Sequence, residues 1–255
     1  MPVLFIGHGS PMNAIQDNAF TQTLKKMGGE LEKPRAVLCV SAHWMTEGTF
    51  VTSSEHPKMI YDMYGFPEEL YKVKYAASGS LKIAEEVQSK SQQPPIHLDE
   101  GKWGLDHGSW SVLKYLFPFA DIPVLQLSLD MTKAPEYHFE IGKKIQALRE
   151  SGVLIIGSGN VVHNLQNMSW NEKEKPFDWA VEYDEWIKQK LIDQDYAALM
   201  KDYNKTKVGQ MSVPTLDHYL PMAYVLGAAA KNDKLKFEYE GMQNGSISMR
   251  AFRLG

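Results

Sequence analysis

The chain begins with an apolar run over 3–6 that stops at His8, which stands between Gly7 and Gly9. Four apolar residues in a row before a glycine predict a strand buried on both faces, with the histidine where the backbone leaves the sheet. The same pattern recurs at 36–44, ending on His43 and Trp44, and at 153–163, where Gly157, Gly159 and His163 follow the apolar run. Three such strands would bring their histidines to one rim of a parallel sheet, the place where α/β proteins bind ligands. A further buried strand is predicted over 122–129, a short β piece over 49–53, and a strand over 69–75. Helices are predicted over 18–27, ended by Gly28 and Gly29, over 80–90 with Leu81, Ile83, Ala84 and Val87 towards the core, over 112–117, and over 135–150 from Pro135. Strand and helix thus alternate through the first 160 residues, as in a sheet covered on both faces. The second half is more helical, with candidates at 177–193, 196–203 and from His218 to 230. Two last β pieces, 235–240 and 246–252, are separated by Gly241, Asn244 and Gly245 and read as a terminal hairpin. The predicted architecture is a single α/β domain over 1–255, a central, mainly parallel sheet flanked by helices with a C-terminal β-hairpin.

Composition narrows the function. With 255 residues and 44% hydrophobic content the chain can bury one large core. A net charge of −4, with its 27 basic residues scattered, argues against nucleic acid or an anionic membrane as partner. No apolar run reaches the ~18 residues of a membrane span, and no basic stretch leads into a long apolar segment near the start, so a cytoplasmic location is expected. The single cysteine, Cys39, lies inside a predicted core strand; it excludes an internal disulfide and reads as a small buried hydrophobe.

The chemistry sits in the histidines. Five of the eight, His8, His43, His107, His163 and His218, lie in stretches punctuated by Gly, Pro or Trp. Several imidazoles at strand ends point to a metal site, and the lack of partner cysteines argues against a structural thiolate zinc. His56, His97 and His138 lie among polar residues and are expected on the surface. The loop over 54–67 carries Met59, Tyr61, Met63, Tyr64 and Phe66, too apolar to be simply solvated. It either covers core or walls a pocket.

Taken in order, six motifs resemble one family: Gly-His-Gly-Ser-Pro at 7–11, Ser-Ala-His-Trp at 41–44, Tyr-Asp-Met-Tyr-Gly-Phe-Pro at 61–67, Gly-Leu-Asp-His-Gly-Ser-Trp at 104–110, Gly-Ser-Gly-Asn-Val-Val-His-Asn-Leu at 157–165 and Pro-Thr-Leu-Asp-His-Tyr-Leu-Pro at 214–221. They are similar to the extradiol aromatic ring-opening dioxygenases of the protocatechuate 4,5-dioxygenase β-subunit class, in the DOPA 4,5-dioxygenase branch. The resemblance implies a non-haem Fe(II), or Zn(II) in purified protein, bound by His8 and His43 with His218 and His163. In the wider class a carboxylate is the third ligand, and His218 stands where it is expected, so His163 is either a fourth ligand or a free acid/base. His107 is implied near the substrate, against the alternative that Asp106 and His107 form only a hydrogen-bonded pair. The implied reaction consumes a catechol and O2 and gives a muconic semialdehyde; a zinc-loaded form binds the catechol without opening it. Tyr61, Tyr64, Phe66, Trp44 and Trp110 are candidates to wall the aromatic ring or, equally, to fill the core. Three competing readings fit the sequence less fully. A tetrapyrrole metal chelatase would explain His8 but neither Ala-His-Trp at 42–44 nor Asp-His-Tyr at 217–219. A zinc hydrolase would want a carboxylate base in a His-Glu-x-x-His-type pairing, which the chain lacks. A non-catalytic His-rich metal carrier would need a closed site.

Overall fold

The structure, a computed structural model, describes residues 1–171 and 174–255. The strands are β1 (Val3–Gly7), β2 (Ala36–Thr46), β3 (Thr49–Val51), β4 (Ile96–Leu98), β5 (Val124–Asp130), β6 (Val153–Gly159), β7 (Leu235–Tyr239), β8 (Met242–Gln243), β9 (Ile247–Ser248) and β10 (Ala251–Leu254). The helices are α1 (Ala19–Glu30), α2 (Glu68–Tyr71), α3 (Leu81–Ser89), α4 (His107–Leu116), α5 (Pro135–Ile145), α6 (Asp178–Ile192), α7 (Tyr196–Lys201), α8 (Lys207–Ser212) and α9 (Leu220–Ala228). Eight strands form one sheet in the order β4-β3-β5-β2-β6-β1-β10-β7, and β8 and β9 form a separate ribbon. Its centre, β5-β2-β6-β1, is parallel throughout, while β10 joins β1 and β7 antiparallel. The expected parallel sheet and C-terminal hairpin are therefore present; β8 and β9 are inserted between the hairpin's two strands.

Successive residues of the central strands enter two different cores, which is why each strand reads as an unbroken apolar run. Val3, Phe5, Leu38, Val40, Val153 and Ile155 face one layer with Ile141 of α5 and Tyr224 of α9. Leu4, Ile6, Val37, Cys39, Leu154 and Ile156 face the other, with Leu24 of α1 and Leu113 of α4. Every residue of α9 is buried, since the helix lies between the sheet and α5.

Some expectations change. The stretch 69–75 is not a strand: Pro67 starts the one-turn α2, whose acidic Glu68 and Glu69 suit a helix N-terminus, and only Leu70 of its residues is buried. Gly28 and Gly29 lie inside α1, which runs on to Glu30. A Cβ at Gly28 would stand 2.1 Å from the Leu116 carbonyl oxygen, so this glycine serves the close crossing of α1 and α4. Leu81 is exposed, because it opens α3 on its solvent side. Helix α4 starts at His107, five residues before its predicted start, because the Asp106 carboxylate accepts the Ser109 N–H and caps it. His138 is fully buried, with Nδ1 3.0 Å from the Tyr224 hydroxyl, whereas His56 and His97 are exposed as expected. Cys39 is a free, buried thiol.

Candidate metal centre

The parallel centre of the sheet sets where the histidines emerge. His8 follows the last residue of β1 and His163 lies four residues beyond β6. His43 is still within β2, but there the strand is irregular: Val40 pairs with Leu127 while Met45 pairs with Leu129. The surplus residues of β2 bulge out of the ladder and re-aim Ser41, His43 and Trp44. His107 opens α4, and His218 precedes α9 in a segment pressed onto the end of β6. That contact requires glycine, because a Cβ at Gly159 would lie 2.2 Å from the His218 carbonyl oxygen. With Gly159 in place, the Asn160 N–H donates to the same oxygen at 2.9 Å.

The five imidazoles form one contiguous group. The ring centroids of His8, His43 and His218 are 5.1, 5.2 and 5.0 Å apart pairwise, His107 lies 3.9 Å from His43, and His163 stacks on His218 at 3.5 Å. One ligand atom each from His8, His43 and His107 falls within 4.8 Å of the others, so these three could hold a metal ion. His163, Asp217 and His218 make a second such group beside them.

Oxygen atoms behind the rings decide where the ring protons sit. The Ser158 hydroxyl donates to the Gly108 carbonyl (2.5 Å) and so can only accept from His8 Nδ1, at 3.0 Å. Asp62 accepts the His107 backbone N–H and, through its other oxygen, the His107 Nδ1–H, both at 2.9 Å. That second oxygen is also 3.4 Å from His43 Nδ1. Asp217 takes the Nδ1–H of His218. The hydrogen bonds behind His8, His107 and His218 favour the proton on Nδ1 and a lone pair on Nε2, and Asp62 favours the same form of His43. His8 Nε2 and His43 Nε2 then face each other at 3.2 Å. Two lone pairs that close repel unless a cation lies between them. Two nitrogens each about 2.1 Å from one ion, at a tetrahedral to octahedral angle, are about 3.0–3.4 Å apart. The donor set therefore fits a divalent metal.

Burial, and then the neighbouring imidazoles, hold His8 and His43 well below the ordinary histidine range. Burial and the adjacent His218 push His163 down to about 2. These rings are neutral at physiological pH and their lone pairs stay available. Burial works against ionisation of Asp217 and Asp62, but the hydrogen bonds from His218 and His107 outweigh it and hold both carboxyls below their usual range. Asp106 goes the other way: it is fully buried, and burial followed by the charge of Asp62 raises it, although Ser41 (2.7 Å) and Gln126 (2.6 Å) donate to it.

Of the predicted ring-walling aromatics, Tyr61 packs on Trp110 with centroids 5.8 Å apart and donates its hydroxyl to the Val73 carbonyl. Phe66 and Trp110 belong to the same apolar cluster. Trp44 is buried and stacks on Trp103 at 5.7 Å. Tyr64 is 91% exposed and stands apart from that core. Sequence reasoning gave no role to Asp62, Asp217 or Ser158, whose oxygens orient the imidazoles. The available signal was an acidic residue inside an aromatic run, Tyr61-Asp62, and another directly before a histidine, Asp217-His218.

Residues 2–251 match the family described as the catalytic LigB subunit of aromatic ring-opening dioxygenase. A 4,5-DOPA dioxygenase extradiol of Escherichia coli K12 is 43% identical over 100% of this chain and 95% of its own length. A protein of the same name from Beta vulgaris is 33% identical over 98% of this chain and 94% of its own. The crystal structure of an uncharacterized Escherichia coli K12 protein superimposes over 100% of both chains with a TM-score of 0.87 at 40% identity.

Proposed function

Because the chain belongs to the LigB family of aromatic ring-opening dioxygenases and is a metal-dependent extradiol dioxygenase, we propose that it uses Fe(II) to open a catechol such as L-DOPA by 4,5-cleavage with O2. The observation that carries this reading is the approach of His8 Nε2 and His43 Nε2 to 3.2 Å, the spacing of two nitrogens on one divalent ion. In this reading His8, His43 and His218 hold the metal, supported by their nearly equal ring separations. When bound, ferrous iron supplies the Lewis acidity that eases ionisation of a catechol and the redox capacity that O2 reduction demands, which zinc lacks. Neutral imidazoles offset none of the cation's charge, so the residues favour an anionic, chelating guest. His163, stacked on His218, is the candidate to take a catechol hydroxyl proton, its basicity raised from the low value of the unliganded site by an anionic substrate beside it. His107, with Nδ1 tied to Asp62, offers Nε2 as an acceptor to a substrate hydroxyl. The 4.8 Å grouping favours a second ligand set, His8, His43 and His107, with His218 on the substrate side. The buried, unpaired Cys39 is compatible with the reducing cytoplasm as its location, and among the described residues no helix is long and apolar enough to cross a membrane.

The test is an oxygen-electrode assay of the Fe(II)-reconstituted protein with L-DOPA and a small catechol panel, with metal content measured on the same sample. A yellow semialdehyde with O2 uptake is expected, and none from the zinc form. His8→Ala and His43→Ala lose metal and turnover together. His218→Ala and His107→Ala separate the two ligand sets, since only the ligand's loss empties the site. His163→Ala keeps the metal and loses turnover if it is the base; lost metal makes it a fourth ligand. No O2 uptake with any catechol by the iron-loaded protein overturns the proposal.

A further inference from the structure

We propose that Asp62 is the positioning residue of this centre: one carboxylate, held by a clipped loop, fixes which nitrogen carries the proton on both His43 and His107 and so aims their Nε2 lone pairs at the metal and substrate side. Its Oδ1 accepts the His107 backbone N–H, and its Oδ2 stands 2.9 Å from His107 Nδ1 and 3.4 Å from His43 Nδ1. One side chain thus reaches imidazoles from β2 and α4, residues 64 positions apart in the chain. The carboxylate cannot swing away, because the backbone just before it is fastened to the segment that leads into α4. The Ile60 N–H donates to the Leu105 carbonyl at 2.7 Å, and the Trp110 indole N–H donates to the Ile60 carbonyl at 3.0 Å. Tyr61, the next residue, is held through its hydroxyl on the Val73 carbonyl at 2.6 Å. The loop over 54–67 therefore covers core and reaches the site at the same time, through the Asp62 side chain.

The chemistry of the contact gives a sharp substitution. In Asp62→Asn the carboxamide keeps the size but has one acceptor oxygen where two were in use. The His107 backbone proton is fixed, so the oxygen stays with it and the amide NH2 faces the two ring nitrogens. The proton of His107 then moves to Nε2, which withdraws the lone pair from the inner side. His43, a ligand in the proposed set, loses the acceptor behind its Nδ1, and loss of such a partner behind a ligand typically lowers metal affinity about 10–100-fold.

The proposal rests on the metal centre described under the proposed function, so its test is read without turnover. Long-range proton–nitrogen NMR of the metal-free protein reports the tautomer of each imidazole, and competition against a chromophoric chelator gives the zinc affinity. Wild type is expected to show His107 as the Nδ1–H form in the metal-free protein, and His43 likewise once zinc separates its Nε2 from that of His8. Asp62→Asn is expected to show His107 as the Nε2–H form and to bind zinc about 10–100-fold more weakly. A role confined to folding would lower the melting temperature and leave the tautomers alone. The idea is overturned if both rings keep their wild-type tautomers and zinc affinity stays within about twofold. Should Asp62→Asn fail to fold, the wild-type spectrum decides alone, since Nε2–H on His107 contradicts it. A wild type with these tautomers and tight zinc that opens no catechol sinks the dioxygenase reading and leaves this one standing.

Discussion

Replacing Arg250 by Met tests how far the C-terminal segment holds the centre together. Arg250 is 1% exposed; its Nε donates to Asp184 Oδ1 at 3.0 Å, its Nη2 pairs with Asp184 Oδ2, and its Nη1 donates to Glu240 at 2.8 Å. The guanidinium also lies 5.1 Å over the Phe237 ring. On the other side, the Ser248 hydroxyl donates to Asp184, the Ser248 N–H donates to the Val162 carbonyl and the Asn160 amide donates to the Ser248 carbonyl. Arg250→Met leaves the Asp184 carboxylate buried without its cation, a loss of about 3–5 kcal/mol. For a chain of this size that lowers the melting temperature by roughly 6–20 °C. Adding Asp184→Leu removes the orphaned charge, so the double variant should recover most of the loss, short of about 1 kcal/mol for the hydrogen bond Ser248 forfeits. Urea unfolding followed by tryptophan fluorescence on all four members of the cycle measures it. A single variant that costs under about 1 kcal/mol, or a double whose cost is the sum of the singles, would refute the reasoning.

Gly159→Ala puts a methyl 2.2 Å from the His218 carbonyl oxygen, so it should cost about 1–3 kcal/mol and weaken zinc binding; unfolding and chelator competition report both, and an unchanged zinc affinity contradicts the fit described. His138, held down at about 4 by burial, stays neutral in the fold while the unfolded chain protonates near 6.5. Its contribution is therefore intact above about pH 6.5 and is lost as pH falls towards 4, by up to roughly 3 kcal/mol. The stability gap between His138→Gln and wild type should shift in the variant's favour between pH 7 and 4.5, and a pH-independent gap defeats the argument. Zinc at a hundredfold excess over its dissociation constant should stabilise wild type by about 2.7 kcal/mol in calorimetry. His8→Ala should abolish that gain.

The parallel centre of the sheet was legible because residues 3–6, 37–40 and 153–156 must feed two cores at once, which leaves no polar position in them. His8 was legible for the same reason, as the first polar residue after an obligatory apolar run, and His43 and His163 followed within a few residues of the ends of theirs. His138 was not: the charges at Glu136 and Glu140 suggested a solvated stretch despite Tyr137 and Phe139 beside it, and its burial is decided by α9, an apolar helix some 80 residues later, packing on α5. Gly28 misled in the same way, since the partner that requires it is Leu116 of α4. The reading of 69–75 failed because one turn of helix followed by extended chain keeps the alternation of a strand. Asp62 was visible as a letter, but only the docking of its loop against Leu105 and Trp110 shows that its carboxylate faces two rings.

The bulge in β2 and the press of the His218 segment onto Gly159 mean that donors at positions 8, 43, 107, 163 and 218 share one cleft while spanning most of the polypeptide. A growing chain leaving the ribosome would not hold the set that includes His218 until its last quarter had emerged and closed against strands made long before. For that set, capture of the cation would come at the end of folding, as a lock on a finished fold and not as its template.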